Sequence, residues 1–387
     1  MTLMLPAVPP TARSITGVAQ DLLNALGGLR GDADPSVNRG EAEPLPAVRS
    51  AVLVVIDGLG AAQLRAHAGH ARTLASAMTK RDVAFSVFPS TTASALTSLV
   101  TGVAPGRHGL VGYRVLDRER GRLVNQLSGW EQERIDPASW QREPTVFERA
   151  RALGHPVHAV GLPAYARSGF SAATLRGAEF HGAKSGADRV AVALGLAEEN
   201  DGALVYCYLP EADKAGHRDG VASAEWVAAL EDIDAALSVP VPRGVGVLVT
   251  ADHGMVDVPR HRHLIVDESG PMREGVAHIG GEPRMLHVYL DDPDRLGSAR
   301  SAWAAGTEGA ADVLTRDEAI AGGLFGSEVT ADAAARIGDL VIPARGTWAL
   351  YDGAAEDQKA QDMVGQHGSL TPEELRVPLL RMGAFAR

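Results

Sequence analysis

Residues 51–58 read AVLVVIDG, a run of six apolar residues that ends at Asp57 and Gly58. Four of the six are β-branched, and an unbroken apolar run of this length is typical of a parallel strand that is covered on both faces. Ligands of α/β proteins bind at the carboxyl ends of such strands, so the position of Asp57 suits a functional residue. Taken alone, Asp57 is more simply a cap for the following helix.

Three further apolar runs have the same character, at residues 158–161, 203–208 and 246–251. Segments with helical periodicity lie among them, at residues 145–153, 188–196 and 222–237. Strands that alternate with helices indicate a mostly parallel sheet. We therefore predict an α/β fold class, with a mostly parallel central sheet flanked by helices.

The chain divides into three parts by its patterning. Residues 1–47 contain an amphipathic helix at 14–29 and a polar loop, which we expect to pack on the core. Residues 259–345 are less regular, with one clear strand at 285–290, and are predicted to form a small inserted subdomain. Residues 48–258 and 346–387 form the predicted catalytic core.

Composition excludes several classes of protein. The 387 residues hold 37 Lys and Arg against 48 Asp and Glu, a net charge of −11, which argues against binding to a nucleic-acid polymer. Cys207 is the single cysteine, so no intrachain disulfide forms. No apolar run reaches the roughly 18 residues of a membrane span, and the first residues do not resemble a signal peptide. We expect a cytoplasmic protein without membrane contact, and the sequence leaves open whether it forms a homodimer.

A stretch rich in hydroxyl groups begins a predicted helix at residues 88–102, FPSTTASALTSLVTG. The simplest interpretation is that Ser90 or Thr91 caps the helix. The alternative is that a threonine hydroxyl at the helix N-terminus acts as a nucleophile, since the free N–H groups there favour a phosphate. A nearby divalent metal would lower the pKa of such a hydroxyl.

Carboxylates and imidazoles follow two of the other strands and recur near the C-terminus. Each pair is ordinary by itself; together with Asp57 they make three carboxylates and three imidazoles. The five further residues are Asp213, His217, Asp252, His253 and His367. A mixture of Asp and His suits Zn²⁺ or Mn²⁺, and two such metals about 4 Å apart would hold both oxygens of a phosphoryl displacement.

These motifs in this order resemble the alkaline phosphatase superfamily and, within it, the type I phosphodiesterase/nucleotide pyrophosphatase family. The resemblance rests on VIDG at 55–58, VTG at 100–102, DHG at 252–254 and the motifs at 213–217 and 367–374, and it covers about residues 48–380. It implies an alkaline-phosphatase-like core and a phosphoric diester hydrolase. It also implies two divalent metal ions, Zn²⁺ or Mn²⁺.

The resemblance also implies a role for each site residue. One metal would be held by Asp213, His217 and His367. The other would be held by Asp57, Asp252 and His253, with the Thr92 oxygen as a further ligand. Thr92 would attack phosphorus and form a covalent intermediate; Thr91 is the competing nucleophile, and the spacing back from residues 100–102 favours Thr92.

One position departs from the family pattern. Ala95 stands where the nucleotide pyrophosphatases have an asparagine that helps to hold the phosphate. A phosphonate hydrolase, which the metal ligands do not distinguish, and a phosphomonoester hydrolase therefore stay open as alternatives. A different class is a non-catalytic protein that binds a nucleotide or a metal, which the complete set of ligands and nucleophile disfavours.

A narrower resemblance concerns the substrate. Residues 88–93, 108–113, 252–259 and 367–374 are similar to a cytoplasmic actinobacterial subgroup that includes a cyclic-di-AMP phosphodiesterase. It implies a small nucleotide substrate, with cyclic-di-AMP, hydrolysed to pApA or AMP, as the best specific hypothesis. Tyr113, Lys214 and Arg176 are the candidates for substrate contact, because such side chains stack on bases or bind phosphate.

Overall fold

The computed structural model describes residues 12–27 and 43–386. Most of the loop predicted in the N-terminal part lies outside these residues. The strands, in chain order, are β1 (Ser50–Ile56), β2 (Val83–Phe85), β3 (Arg114–Asp117), β4 (Arg122–Asn125), β5 (Val157–Gly161), β6 (Glu179–Gly182), β7 (Leu204–Leu209), β8 (Val245–Thr250), β9 (Val256–Asp257), β10 (His263–Val266), β11 (Val276–Glu282), β12 (Met285–Leu290), β13 (Leu314–Thr315), β14 (Leu340–Pro343), β15 (Ala349–Asp352), β16 (Gly365–Gln366) and β17 (Arg376–Gly383).

Helices alternate with these strands along much of the chain. They are α1 (Val18–Ala25), α2 (Ala61–Ala66), α3 (Arg72–Ser76), α4 (Thr92–Thr101), α5 (Pro105–His108), α6 (Trp130–Glu133), α7 (Pro137–Trp140), α8 (Val146–Ala152), α9 (Gly169–Thr174), α10 (Gly186–Glu199), α11 (Glu211–Asp219), α12 (Ala224–Leu237), α13 (Leu296–Gly306), α14 (Arg316–Ala321), α15 (Ala331–Arg336) and α16 (Pro372–Leu375). Short 3₁₀ helices lie at Ile15–Gly17, Pro163–Tyr165, Arg260–Arg262, Pro271–Arg273, Pro293–Arg295 and Lys359–Asp362. Among the described residues, no helix has the length and apolar character needed to cross a bilayer.

Seven strands form the central sheet, in the order β2-β17-β8-β1-β7-β5-β6. The five strands from β8 to β6 are parallel, and β17 lies antiparallel to β8. All seven residues of β1 are buried, as the unbroken apolar run predicts, and helix α10 packs against β1, β5 and β7. The predicted α/β fold class, with a mostly parallel central sheet flanked by helices, is confirmed.

A second, antiparallel sheet has the order β11-β12-β14-β13. With helix α13 it encloses an apolar cluster of its own, around Trp303 and Leu340. Of its strands, the sequence predicted only β12. The sheet lies within residues 259–345, but β10 from this segment pairs with β15 outside it. The division into core, inserted subdomain and N-terminal part stays a prediction.

Helix α4 is buried along its whole length. Two of its hydroxyl groups tolerate burial because they bond within the helix: Thr97 Oγ1 donates to the Ala93 carbonyl at 2.6 Å, and Thr101 Oγ1 donates to the Thr97 carbonyl at 2.7 Å. The helix ends at Gly102, whose φ of 81° is the left-handed conformation that favours glycine. Burial fixes the helix, and with it the position of Thr92 at its first turn.

Candidate active site

Three neighbouring strands carry the carboxylates of the site. In the sheet, β1 lies between β8 and β7, and the three strands end at the same edge, with Ile56 opposite Leu209 and Val55 opposite Thr250. Asp57 follows β1, Asp252 follows β8, and Asp213 lies in helix α11, directly after β7. The order of the strands therefore brings together side chains that are far apart in sequence.

The imidazoles reach the same edge by two routes. His217 lies one helical turn after Asp213 in α11, so both side chains share a face. His367 follows β16, which pairs antiparallel with β9, just beyond His253. The short β9–β16 ladder thus returns the C-terminal part of the chain to the edge where the strands end.

One cluster contains Asp213, His217 and His367. Asp213 Oδ1 is 3.3 Å from His217 Nε2 and 3.8 Å from His367 Nε2. The two Nε2 atoms are 3.2 Å apart. These are the three residues that the resemblance assigns to one metal.

A second cluster contains Asp57, Asp252, His253 and Thr92. His253 Nε2 is 3.4 Å from Asp57 Oδ1, 3.5 Å from Asp252 Oδ2 and 3.1 Å from Thr92 Oγ1. The rings of His253 and His367 stack with their centroids 3.6 Å apart, so the two clusters adjoin. All six predicted ligands and the predicted nucleophile are therefore in one place.

The backbone sets the orientation of each imidazole. Nδ1 of His217, His253 and His367 lies 2.8, 3.1 and 2.9 Å from the carbonyl oxygens of Gly365, Gly254 and Ser90, respectively. A carbonyl only accepts hydrogen bonds, so each Nδ1 carries the proton and each Nε2 presents its lone pair to the cluster. This arrangement is typical of histidines that bind metals through Nε2.

The chemistry of the donor set fits cations. Among the described residues, Asp57 Oδ1, Asp213 Oδ1 and Asp252 Oδ2 are buried without a hydrogen-bond partner, and they are the atoms that face the imidazoles. The other oxygens of two of these carboxylates are engaged: Tyr208 donates to Asp57 Oδ2, and the N–H groups of Gly58 and His253 donate to Asp252 Oδ1. Unpartnered anionic oxygens beside imidazole lone pairs are expected where divalent ions bind.

The pKa shifts of the site residues also favour a bound cation. Burial raises the pKa of Asp57 well above its ordinary value, and the neighbouring Asp213 and Asp252 raise it further. Burial likewise raises the pKa of Asp252, against the opposing effect of His253. Burial, with the nearby His253 and His217, lowers the pKa of His367 well below its ordinary value. A bound cation would reverse the unfavourable crowding of the carboxylates.

The two candidate threonines have different partners. Thr92 is the first residue of α4, and its hydroxyl faces His253. Thr91 is the N-cap, its side chain makes no capping bond, and its hydroxyl bonds to Glu282 instead. The N–H groups of the first turn are consequently not engaged by the cap side chain. Ala95, which stands where the family pattern has an asparagine, is fully buried and offers no polar side chain at this position.

A cavity of about 520 Å³ opens above the clusters. Asp57, Thr92, Asp213, His217 and His367 line it and form its floor. The rest of the lining is its wall, which includes the aromatic side chains of Tyr113, Tyr165, Phe170, Phe180, Tyr206 and Tyr208. Its volume lies within the range of cavities that bind small molecules.

Two of the three predicted substrate contacts lie at the cavity, and the third does not. Tyr113 and Lys214 line the cavity, and Lys214 Nζ lies 5.9 Å from the centre of the Tyr165 ring. The structure does not bring Arg176 to the site, and that prediction is corrected. Its guanidinium donates to the carbonyls of Gln141, Ala173 and Glu143 and to the Glu148 carboxylate. It fixes the start of α8 and the end of α9.

Sequence reasoning missed Glu282, which enters the site from the hairpin between β11 and β12. Its side chain is buried, bonds to Thr91, and lies 4.0 Å from His367 Nδ1. Burial raises its pKa to about 8. A Cβ on Gly368 would lie 2.8 Å from its side chain, so glycine is needed there. No local motif marks Glu282, since its role depends on long-range packing.

The sequence was compared with known proteins. The model of the type I phosphodiesterase/nucleotide pyrophosphatase family matches residues 51–370. The chain belongs to this family. The predicted enzyme class, a phosphoric diester hydrolase of the alkaline phosphatase superfamily, is thereby confirmed. A comparison with the sequences of curated proteins finds no match.

Solved structures of similar fold include a murine and a bacterial protein. Murine ectonucleotide pyrophosphatase/phosphodiesterase 5, as an inactive variant in complex with AMP, is 19% identical with a TM-score of 0.67, over 87% of this chain and 88% of that chain. Phosphonoacetate hydrolase from Sinorhizobium meliloti, in complex with phosphonoformate, is 20% identical with a TM-score of 0.65, over 88% and 92%. At these identities the likeness concerns the fold.

Proposed function

We propose that this phosphodiesterase hydrolyses a nucleotide phosphodiester with two divalent metal ions and Thr92 as the nucleophile. The observation that carries the proposal is the convergence of three unpartnered carboxylate oxygens and three Nε2 atoms beside the Thr92 hydroxyl. Four of these six residues, together with Thr92, line a cavity large enough for a nucleotide, and Asp252 and His253 lie directly beside them. Proteins that merely bind nucleotides have no need of such a set.

Asp213, His217 and His367 would hold one ion, and Asp57, Asp252 and His253 would hold the other. Carboxylates with imidazoles suit Zn²⁺ and Mn²⁺ alike. When bound, the ions would supply Lewis acidity and neutralise charge that develops on the phosphoryl oxygens. Hydrogen bonds from the three imidazoles to backbone carbonyls would hold these metal-binding side chains in position.

Thr92 Oγ1 would lose its proton and form a bond to phosphorus while the bond to the leaving ribose oxygen breaks and that oxygen takes up a proton. Water would then cleave the nucleotidyl-threonine and restore the Thr92 hydroxyl, so the two steps together consume one water molecule. The N–H groups at the start of α4 would bind the phosphoryl oxygens, in the place of the asparagine that Ala95 replaces. The bond from Thr91 to Glu282 supports Thr92 over Thr91, since it directs the Thr91 hydroxyl elsewhere.

For the substrate we propose cyclic-di-AMP, hydrolysed to pApA or AMP, as in the actinobacterial subgroup that the sequence resembles. The aromatic wall supports a ligand with flat bases, because each ring offers a surface for stacking. Lys214, beside Tyr165, is placed to meet a phosphate at the mouth of the cavity. Cytoplasmic location and a homodimer stay predictions.

The test is chromatography of the products after incubation of the purified protein with cyclic-di-AMP and Mn²⁺. Asp57→Asn is the matched control, since it removes one ligand charge without changing the side-chain volume. Turnover that the control lacks would support the reaction and the substrate. Cleavage of bis-p-nitrophenyl phosphate alone would keep the reaction and remove the substrate. Inactivity on both diesters, with release of phosphate from a phosphonate or a monoester, would replace the proposal by that alternative.

A further inference from the structure

A group of potential metal ligands lies outside the site, on strands β5 and β6. His158 lies opposite Glu179 in the parallel ladder, and His181 is two residues after Glu179. Residues two apart in a strand, and residues opposite each other in a ladder, share one face of a sheet. The three side chains therefore project on the same side, at the edge that β6 forms.

The ligand atoms of these three residues converge. His158 Nδ1 is 3.1 Å from His181 Nε2 and 3.7 Å from Glu179 Oε2. One ligand atom from each residue lies within 4.8 Å of the other two. His158 is 8% exposed, so its Nδ1 offers a ligand atom from the buried side of the group.

The group is separate from the cavity. Phe180 lies between Glu179 and His181, so it projects from the opposite face of β6, and there it lines the cavity. Glu179 is exposed, which leaves solvent free to complete the coordination of an ion. Two imidazoles and one carboxylate with open positions are a ligand set that Zn²⁺ accepts.

We propose that His158, Glu179 and His181 form a further site for a divalent cation of the Zn²⁺ type, on the face of the sheet opposite the cavity. A cation there would tie the short edge strand β6 to β5. Because β6 also carries Phe180, occupancy would stiffen one wall of the cavity. The site does not depend on the two clusters at the strand ends.

The experiment is equilibrium dialysis of metal-free protein against micromolar Zn²⁺, followed by measurement of zinc per chain. His181→Ala is expected to hold one ion fewer than the wild type. His261→Ala, which removes an exposed histidine elsewhere, is expected to hold the same number as the wild type. If the active-site proposal fails and this one holds, the wild type binds one ion and His181→Ala binds none.

Glu179→Ala is a second test variant that we expect to fold normally, because the Glu179 side chain is 70% exposed and its loss leaves the core intact. It is expected to weaken binding at this site at least tenfold. Equal zinc content and affinity in the wild type and both variants would overturn the proposal, as would occupancy only at millimolar Zn²⁺.

Discussion

The floor of the cavity and its wall are built in different ways. The floor takes Asp57 and Asp213 from the ends of two adjacent parallel strands, and Asp252, at the end of a third, lies beside them. The wall draws on distant elements, such as the β11–β12 hairpin that carries Glu282 and the segment that carries Tyr165. The floor is thus a product of local motifs and sheet order, and the wall is a product of long-range packing.

This difference separates the reaction from the choice of substrate. Floor residues are polar, buried and short of partners, which suits groups that bind ions and act on phosphorus. The wall includes six aromatic side chains, whose flat faces can stack on many flat ligands. Substitutions in the floor should therefore reduce turnover, whereas substitutions in the wall should change affinity.

The largest effect is expected for Thr92→Ala in the floor. Loss of the attacking oxygen should lower kcat by at least about 10³-fold, while substrate still binds. Thr91→Ala is the matched control, because its hydroxyl bonds to Glu282 rather than to His253. Steady-state kinetics on a diester measures both. A larger loss in Thr91→Ala would move the nucleophile to Thr91.

The next effect concerns the ion pair that anchors the hairpin carrying Glu282. Arg284, beside Glu282 in the hairpin, makes a buried two-bond ion pair with Glu374, at 3.0 and 2.6 Å. Both side chains are fully buried. Arg284→Met should destabilise the protein by about 3–5 kcal/mol, because it leaves the Glu374 charge buried and unpaired. Urea unfolding measures the loss.

The double variant Arg284→Met/Glu374→Gln is the control for this pair. It removes both charges and keeps an oxygen that accepts from the Ser369 N–H group, so it should recover part of the stability that the single variant loses. A single variant as stable as the wild type would show that the hairpin does not depend on this ion pair.

The contrast between floor and wall also explains which features the sequence reveals. Asp57 and Asp252 stand directly after apolar runs, so the strand pattern and the site were predicted together. Strand β17 was missed because Arg376, Pro378 and Arg381 interrupt its apolar character. The prediction that Arg176 contacts substrate failed because backbone carbonyls bind its guanidinium, and no local sequence pattern reveals those contacts.

A smaller effect is expected for Lys214→Met in the wall. Lys214 is exposed and lines the cavity, so its loss should raise KM roughly tenfold and leave kcat nearly unchanged, as for the removal of a charged partner of a phosphate. Lys184→Met, an exposed lysine outside the cavity lining, is the matched control. An equal KM in both variants would mean that Lys214 does not meet the substrate.

The smallest effect is expected for Glu282→Gln. Burial raises the pKa of Glu282 to about 8, which favours the neutral acid, and glutamine matches that form in shape and in its ability to accept from Thr91. The variant should stay within about threefold of the wild-type kcat/KM, since an isosteric exchange that keeps the hydrogen bond costs little. Glu282→Ala should fall further, because it leaves Thr91 without its partner and opens space beside Gly368. A loss in Glu282→Gln as large as that in Glu282→Ala would show that the reaction needs a charged carboxylate, rather than a neutral acid, at this point where the wall meets the floor.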